Sequence, residues 1–192
     1  LEWGLTGDAL MPKAALFRRL AFAACVAALS AGAPAVARPV VQAQAAAPDG
    51  LAIPAVVAWL GEKGLTAGAV QTDGAQPYVR VTDGPLTWVL YFYSCQGQGE
   101  RQVCPDLQFS AAFTNATVTP EITNRWNREN RFLKAFYQPG SAGGAGAAVA
   151  QLDVLVDSRS GLTELEDAVA VWRGLLPQFA REVGFLTGPA QP

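Results

Sequence analysis

The sequence predicts a single α+β domain in which a mostly antiparallel sheet packs against helices, in the order α-β-β-β-α-β-β-α. Two patterns support this fold class most strongly. Residues 107–113 alternate between apolar and polar side chains, with the period of two that is typical of a half-buried strand. Residues 165–183 instead place apolar side chains at the three- and four-residue spacing of an amphipathic helix.

Residues 11–37 have the three parts of a bacterial export signal. Basic residues come first, an apolar run follows over residues 20–31, and small residues offer cleavage after Ala37 or after Ala45. Because the apolar run is shorter than the roughly 20 residues that span a bilayer, we favour cleavage over an uncleaved anchor. We therefore predict a periplasmic or secreted protein whose mature chain has no permanent membrane span.

The segments around the export signal are expected to lie outside the fold. We interpret residues 1–10 as an upstream translation artefact and Met11 as the true start. Residues 38–50 are rich in Pro, Ala and Gln and are predicted to be a disordered leader, so the domain is expected over residues 51–186. The full chain has a net charge of −2, which gives no electrostatic basis for binding nucleic acid.

The first half of the domain is predicted to contain a short helix and three strands. The helix covers residues 54–63 and ends at glycines. Residues 69–72 and 77–82 are expected to form two short strands or a strand and an edge. Residues 86–95 form the strongest predicted strand, and because both of its faces are apolar we expect a central strand covered on both sides.

The second half is predicted to contain a helix, two strands and a closing helix. Thr119 is expected to supply the N-cap oxygen of the first helix, with Pro120 at its first position. Strands at residues 131–137 and 149–156 are joined by a low-complexity linker, residues 138–148.

The closing helix is predicted over residues 165–183. Thr163 and Glu166 match a capping box, and Pro177 is expected to kink the helix. Its apolar stripe consists of Leu165, Val169, Trp172, Leu176, Phe179 and Val183.

Cys95 and Cys104 flank a polar, glycine-containing loop between two strand-like runs. Opposed residues of an antiparallel pair have Cα atoms about 4.5–5.5 Å apart, which suits a disulfide. Pairing is the default in an oxidising compartment. A redox or metal role is the alternative, but the pair lacks CxxC spacing and the chain has no histidine to complete a zinc site.

The absence of histidine also removes the commonest general base and the usual nucleophile arrangements. Asp153 and Asp157 are expected on one face of one strand, roughly 13 Å apart. This exceeds the separation of about 5–9.5 Å in a glycosidase pair, so we interpret them as solvated, with a calcium or substrate ligand as the alternative. We predict no catalytic residue, no cofactor and no metal, and a carboxylate-based hydrolase is the least favoured function.

Residues 119–137 concentrate cations, asparagines and aromatic side chains in one stretch. One interpretation is a surface that recognises anionic groups of a peptide, a lipid headgroup or a polysaccharide. In the alternative, the arginine stems pack over the aromatics and the asparagines cap a helix C-terminus. The candidate interaction surface consists of Arg125, Trp126, Asn127, Arg128, Asn130 and Arg131.

The sequence WNRENRF at residues 126–132, which closes a helix and runs into a strand, resembles the central signature of YbjN domains. The resemblance continues in LQFSAAF and QLDVLVDSRSGLT and covers about residues 51–185. It implies a fold similar to type III secretion chaperones and a regulatory role with no known reaction. The export signal and the predicted disulfide depart from cytoplasmic members of the family, so an intracellular role is not carried over.

These observations together predict a non-enzymatic periplasmic binding or interaction module of a chaperone-like or regulatory kind. It would hold a protein or peptide partner with its sheet face or a dimer groove, and a homodimer is one alternative for its oligomeric state. The alternative function is a small-ligand or lipid carrier with an apolar cavity under Trp88, Trp126 and Trp172.

Overall fold

The computed structural model describes residues 49–141 and 144–187, and the predicted export signal with both cleavage positions lies outside them. The described residues form three α-helices and nine strands. The helices are α1 (Ile53–Glu62), α2 (Pro120–Glu129) and α3 (Thr163–Glu182). The strands are β1 (Leu51–Ala52), β2 (Thr66–Ala67), β3 (Gln71–Asp73), β4 (Gln76–Asp83), β5 (Leu86–Tyr93), β6 (Val103–Cys104), β7 (Asp106–Thr114), β8 (Lys134–Gln138) and β9 (Ala147–Leu155).

One antiparallel sheet dominates the fold. Its strand order is β2-β4-β5-β7-β9-β8, and β3 also pairs with β4. The short strands β1 and β6 form a separate antiparallel pair. The α+β class and the mostly antiparallel sheet are therefore confirmed.

The hydrophobic core lies between one face of this sheet and the helices. Along β7 the side chains alternate as predicted: Leu107 and Phe109 are fully buried and Gln108 is partly exposed. All six residues of the predicted stripe on α3 are buried, and Trp172 packs against Phe109 with ring centroids 5.6 Å apart. Burial of the α3 stripe against the strands thus joins this helix to the sheet.

The outer side of β5 differs from the prediction. Val89, Tyr91 and Tyr93 are only partly buried, whereas Trp88, Leu90 and Phe92 on the other side are buried in the core. The prediction of a strand covered on both sides is wrong because the side chains of α1, α2 and α3 all join the core on the Trp88 side.

Both predicted helix caps are also wrong in their chemistry. Thr119 occupies the N-cap position of α2 with extended backbone, but its side chain makes no capping hydrogen bond. Its hydroxyl instead bonds the Glu121 side chain. The backbone N–H of Glu121 first, and then this hydroxyl, lower the pKa of the Glu121 carboxyl. In α3 the N-cap is Leu162, so Thr163 is already helical and does not cap.

The disulfide between Cys95 and Cys104 is present, with Cα atoms 4.1 Å apart. Gln96 and Val103 exchange two backbone hydrogen bonds of 2.8 and 2.9 Å, and the cysteines are the next residues outward from this pair. Cys104 also lies opposite Leu51 in the β1–β6 pair. The disulfide therefore fixes the end of the sheet at which β5 leads into β7.

In the part of the chain that the structure covers, no helix is both long enough and apolar enough to cross a membrane.

Candidate functional site

The sequence-predicted surface lies where α2 ends and β8 begins, a region we call the α2–β8 junction (residues 125–138). Trp126 is a core residue of this junction, with only 5% of its surface exposed. Its Nε1–H donates to the carbonyl of Leu133 at 2.8 Å, and its ring packs edge-on against Phe179 of α3 at 5.0 Å. Trp126 therefore holds the junction to the core and is not free to bind a partner.

The Asn127 side chain makes the two hydrogen bonds to β8 that a neighbouring strand would make. Its Oδ1 accepts the backbone N–H of Ala135 at 2.8 Å, and its Nδ2 donates to the Ala135 carbonyl at 2.7 Å. β8 ends the sheet order, so without this side chain Ala135 would present both groups at an open edge. The asparagine amide thus closes one position of the sheet edge.

Polar side chains complete the C-terminal end of α2. Asn130 Nδ2 donates to the Trp126 carbonyl at 3.1 Å. Lys134 Nζ donates to the carbonyls of Asn127 and Asn130, at 3.3 and 2.7 Å. The last carbonyls of a helix have no intrahelical partner, and a cation there also complements the helix dipole. Asn130 thus caps the helix end, as the alternative interpretation expected of the asparagines, and Lys134, for which no such role was expected, adds a cation there.

Arg125 joins α2 to the last turn of α3. Its Nε donates to Glu182 Oε1 at 3.0 Å, and a second guanidinium nitrogen donates to the same oxygen. The hydrogen bonds and charge of Glu182 raise the pKa of Arg125.

Three exposed side chains of the junction, Arg128, Arg131 and Phe132, form what we call the exposed trio. Glu129, Phe136 and Gln138 of the junction are exposed as well. Within residues 49–141 and 144–187, neither arginine forms a salt bridge. The Arg131 guanidinium carbon lies 5.2 Å from the ring centre of Phe132, whose surface is 54% exposed. Phe132 was missing from the predicted surface, although an aromatic beside an arginine in a polar stretch was a usable signal.

The structure shows a second region of partly exposed polar and aromatic side chains, on the outer side of the sheet. We call this side the open face; it is formed by the outward side chains of β4, β5, β7 and β9. Tyr91 lies at its centre, with ring centroids 5.6 Å from Tyr78 and 6.1 Å from Tyr93. All three tyrosines are partly exposed, so part of each side chain is accessible from outside.

Carboxylates and amides continue the open face from the tyrosines. Asp106 lies opposite Tyr93 in the β5–β7 pair, and Asp153 lies opposite Gln108 in the β7–β9 pair. Gln108 Nε2 donates to Asp153 Oδ1 at 2.7 Å. Burial first, and then the charge of Asp153, raise the pKa of Asp106 above its ordinary value. We call Tyr78, Tyr91, Tyr93, Asp106 and Asp153 the tyrosine patch.

The predicted pair Asp153 and Asp157 does not share a strand, so that prediction is wrong. β9 ends at Leu155, and the Asp157 carboxylate accepts the N–H groups of Arg159 and Ser160 at 2.8 and 2.7 Å. These backbone hydrogen bonds, chiefly that from Ser160, lower the pKa of Asp157. Asp157 is thus a turn residue. The described residues also contain no group of three His, Cys, Asp or Glu side chains that could hold a metal ion.

The three tryptophans of the predicted cavity occupy two environments. Trp88 and Trp172 contact each other edge-on with centroids 5.9 Å apart, whereas Trp126 packs on Phe179. The Nε1–H groups of Trp88 and Trp172 are buried and have no hydrogen-bond partner among the described residues. Trp172 also lines an open groove of about 700 Å³ beside the β4–β5 turn.

A family model described as "Putative bacterial sensory transduction regulator" matches residues 54–185, which is more than half of the chain. The comparison with curated proteins finds no match, and the comparison with solved structures finds none. The matched range runs from α1 to just beyond α3 and contains both the α2–β8 junction and the open face. The chain therefore belongs to the YbjN family.

Proposed function

We propose that this chain is a regulatory interaction module that works in the periplasm, holds a partner protein and catalyses no reaction itself. The exposed trio carries the proposal, because its two cations form no hydrogen bond or salt bridge among the described residues, whereas the cations Arg125 and Lys134 of the same junction are bonded internally. Membership of a family described by sensory transduction supports a role in which the chain acts by contact with another protein.

The α2–β8 junction provides a rigid base for the exposed trio. Trp126 anchors α2 in the core, and Asn127 joins α2 to β8 through two hydrogen bonds. Arginine and aromatic side chains contribute most of the binding energy in many interfaces, and less ordering entropy is lost when their backbone is already fixed. Arg128 and Arg131 would bind carboxylates of the partner through paired N–H donors, so the partner segment is acidic.

The location rests on the predicted export signal and is supported by the disulfide. Paired cysteines are typical of proteins that fold in an oxidising compartment. Expression of the full chain in a bacterium, followed by fractionation and intact-mass measurement, tests this part. A periplasmic product that begins after Ala37 or Ala45, with Cys95 and Cys104 oxidised, is expected; a cytoplasmic product of full length would contradict it.

The partner interaction is tested by recovery from periplasmic extract. The wild-type chain is compared with the double variant Arg128→Glu/Arg131→Glu and with a control, Arg101→Glu/Arg159→Glu, which makes the same change of net charge at exposed sites elsewhere. We expect the wild type and the control to recover a partner that the double variant Arg128→Glu/Arg131→Glu does not recover. Equal recovery by all three proteins would remove the exposed trio as the binding surface.

A small-ligand or lipid carrier is a second candidate, favoured by the groove beside Trp172. Its apolar lining includes Leu86, Leu176 and Leu186, and Arg173 lies in the same lining. Native mass spectrometry of the purified full chain would detect a co-purified lipid by its added mass. Such a complex would favour the carrier function, whereas a protein of apo mass that retains its partner would favour the interaction module.

A further inference from the structure

The open face carries aromatic rings without a helix to cover them. Tyr78, Tyr91 and Tyr93 form one continuous strip across β4 and β5, because the middle ring contacts both others. A tyrosine ring presents an electron-rich face and a polar hydroxyl, so it can remain partly exposed and still bind apolar or cationic groups. This strip is therefore suited to contact with another molecule.

Two carboxylates stand beside the tyrosine strip on its β7 and β9 side. Asp106 lies directly opposite Tyr93, and Asp153 follows on the adjacent strand. Among the described residues neither forms a salt bridge. Burial first, and then repulsion by the charge of Asp153, raise the pKa of Asp106. The free protein therefore keeps two like charges close together without a cation between them.

The cations of the same face do not neutralise this pair. Arg80 lies three strands away from Asp153, which is roughly 14 Å at ordinary strand spacing. Lys134 is nearer, opposite Gln151, but its ammonium donates to the carbonyls at the end of α2. Among the described residues, therefore, no cation is paired with these carboxylates.

Apolar side chains border the patch where the stem of a long cationic side chain would lie. Leu155 is opposite Asp106 and is 77% exposed. Val89, two residues before Tyr91 on the same face, is partly exposed. Lysine and arginine bind with their methylene stems on apolar surface and their charged ends on carboxylates or aromatic faces.

We propose that the tyrosine patch binds a lysine or arginine side chain carried by an exposed segment of a partner protein. The cationic end lies over Tyr91 or Tyr93 and between Asp106 and Asp153, and the stem lies along Leu155 or Val89. This inference does not depend on the exposed trio, because the two surfaces lie on different elements and have opposite charge. A neutral polysaccharide would also stack on tyrosines, but it would not need ionised carboxylates.

The test measures the binding of a fluorescein-labelled lysine–serine repeat peptide with blocked ends to the full chain, by fluorescence anisotropy. The matched glutamate–serine peptide and a neutral cello-oligosaccharide are measured in parallel. The lysine peptide is expected to bind and the glutamate peptide is not. Because exposed charges are screened at about 1 M salt, where the Debye length is about 3 Å, binding of the lysine peptide should weaken there.

Two variants locate the site. Asp106→Asn/Asp153→Asn is expected to raise the Kd of the lysine peptide roughly tenfold, and Tyr91→Thr about two- to fivefold. The control Glu62→Gln/Asp167→Asn removes the same net charge from exposed helix positions and should change the Kd less than about twofold. Near-ultraviolet circular dichroism checks that each variant is folded.

Three results would overturn the proposal. The first is equal weakening by the control pair, which would show general attraction to an acidic protein. The second is binding of the oligosaccharide that the Asp→Asn pair does not change, which would assign the patch to a glycan. The third is the absence of lysine-peptide binding by the wild type at millimolar concentration.

Discussion

The α2–β8 junction and the open face are both dense in polar and aromatic side chains, but they use them differently. At the junction Trp126, Asn127 and Asn130 all bond to backbone groups of this chain. On the open face Gln108 bonds to Asp153 and Tyr78 bonds to Gln71, both through side chains, although Gln76 of β4 donates to the backbone carbonyl of Phe92. These three junction side chains are therefore committed to the fold and leave only the exposed trio to bind, whereas the tyrosines and carboxylates of the open face retain capacity to bind.

Truncation of Trp126 should have the largest effect on the free energy of unfolding. It tests most severely whether the junction side chains hold the fold together. Because Trp126 is buried and donates to Leu133, Trp126→Ala is expected to lower the free energy of unfolding by about 3–5 kcal/mol. Urea titration measures the loss. Phe132→Ala, which truncates an exposed neighbour, should change it by less than about 0.5 kcal/mol. Similar losses for both variants would show that Trp126 is not the anchor.

Removal of the disulfide, which lies at one end of the open face, should have the next largest effect on the free energy of unfolding. On the chain-entropy account, closing this short loop stabilises the fold by roughly 2.5–3 kcal/mol. Cys95→Ser/Cys104→Ser should lose about this amount in urea titration and should keep its near-ultraviolet spectrum at low urea. An unchanged midpoint would mean that the loop is already ordered without the bond.

Loss of the Asn127 side chain should cost less but tests the junction most specifically. Asn127→Ala leaves the N–H and carbonyl of Ala135 without their partner, which is expected to cost about 1–3 kcal/mol. Asn124→Ala is the matched control, because Asn124 is exposed on the same helix. Hydrogen exchange adds a local measurement: the Ala135 amide should lose protection in Asn127→Ala and keep it in Asn124→Ala.

Replacement of Asp106 by asparagine should have the smallest effect on the free energy of unfolding, and it should stabilise the fold where the other changes destabilise it. Because folding raises the pKa of Asp106, its ionised form destabilises the folded state relative to the unfolded state. The wild type should therefore lose stability relative to Asp106→Asn as the pH rises from the ordinary carboxyl pKa of about 3.9 towards neutrality. Urea midpoints of both proteins between acidic and neutral pH measure this. A wild type that gains on the variant over that range would show that Asp106 is favourably paired.

Much of the fold was predictable because local periodicity determines it. The alternation at Leu107 and Phe109 and the stripe on α3 each require only the burial of one face, and both are confirmed. The cap at Thr163 was not predictable, because a one-residue shift of a helix start changes which group a hydroxyl can reach. Thr119 does occupy the predicted N-cap position, but its hydroxyl bonds Glu121 and not the helix backbone. The likeness of the fold to secretion chaperones stays a prediction.

The candidate site was predictable only where its residues are adjacent in the chain. The α2–β8 junction was recognisable because its polar and aromatic residues are consecutive in the sequence. Asn127, Asn130 and Lys134, however, bond the carbonyls at the end of α2 or the backbone of the edge strand β8. The tyrosine patch draws on β4, β5, β7 and β9, and its members meet only through strand register. Tyr91 also counted as apolar in the pattern of β5, although a tyrosine ring can remain partly exposed.

The division between the two regions is tested most directly by a two-dimensional NMR titration of the wild-type full chain with the lysine–serine repeat peptide. The account predicts that the largest shifts fall on Tyr78, Tyr91, Tyr93 and their cross-strand neighbours, and that the amides of residues 126–135 do not move. Shifts concentrated at residues 126–135, or none at the tyrosines, would contradict it.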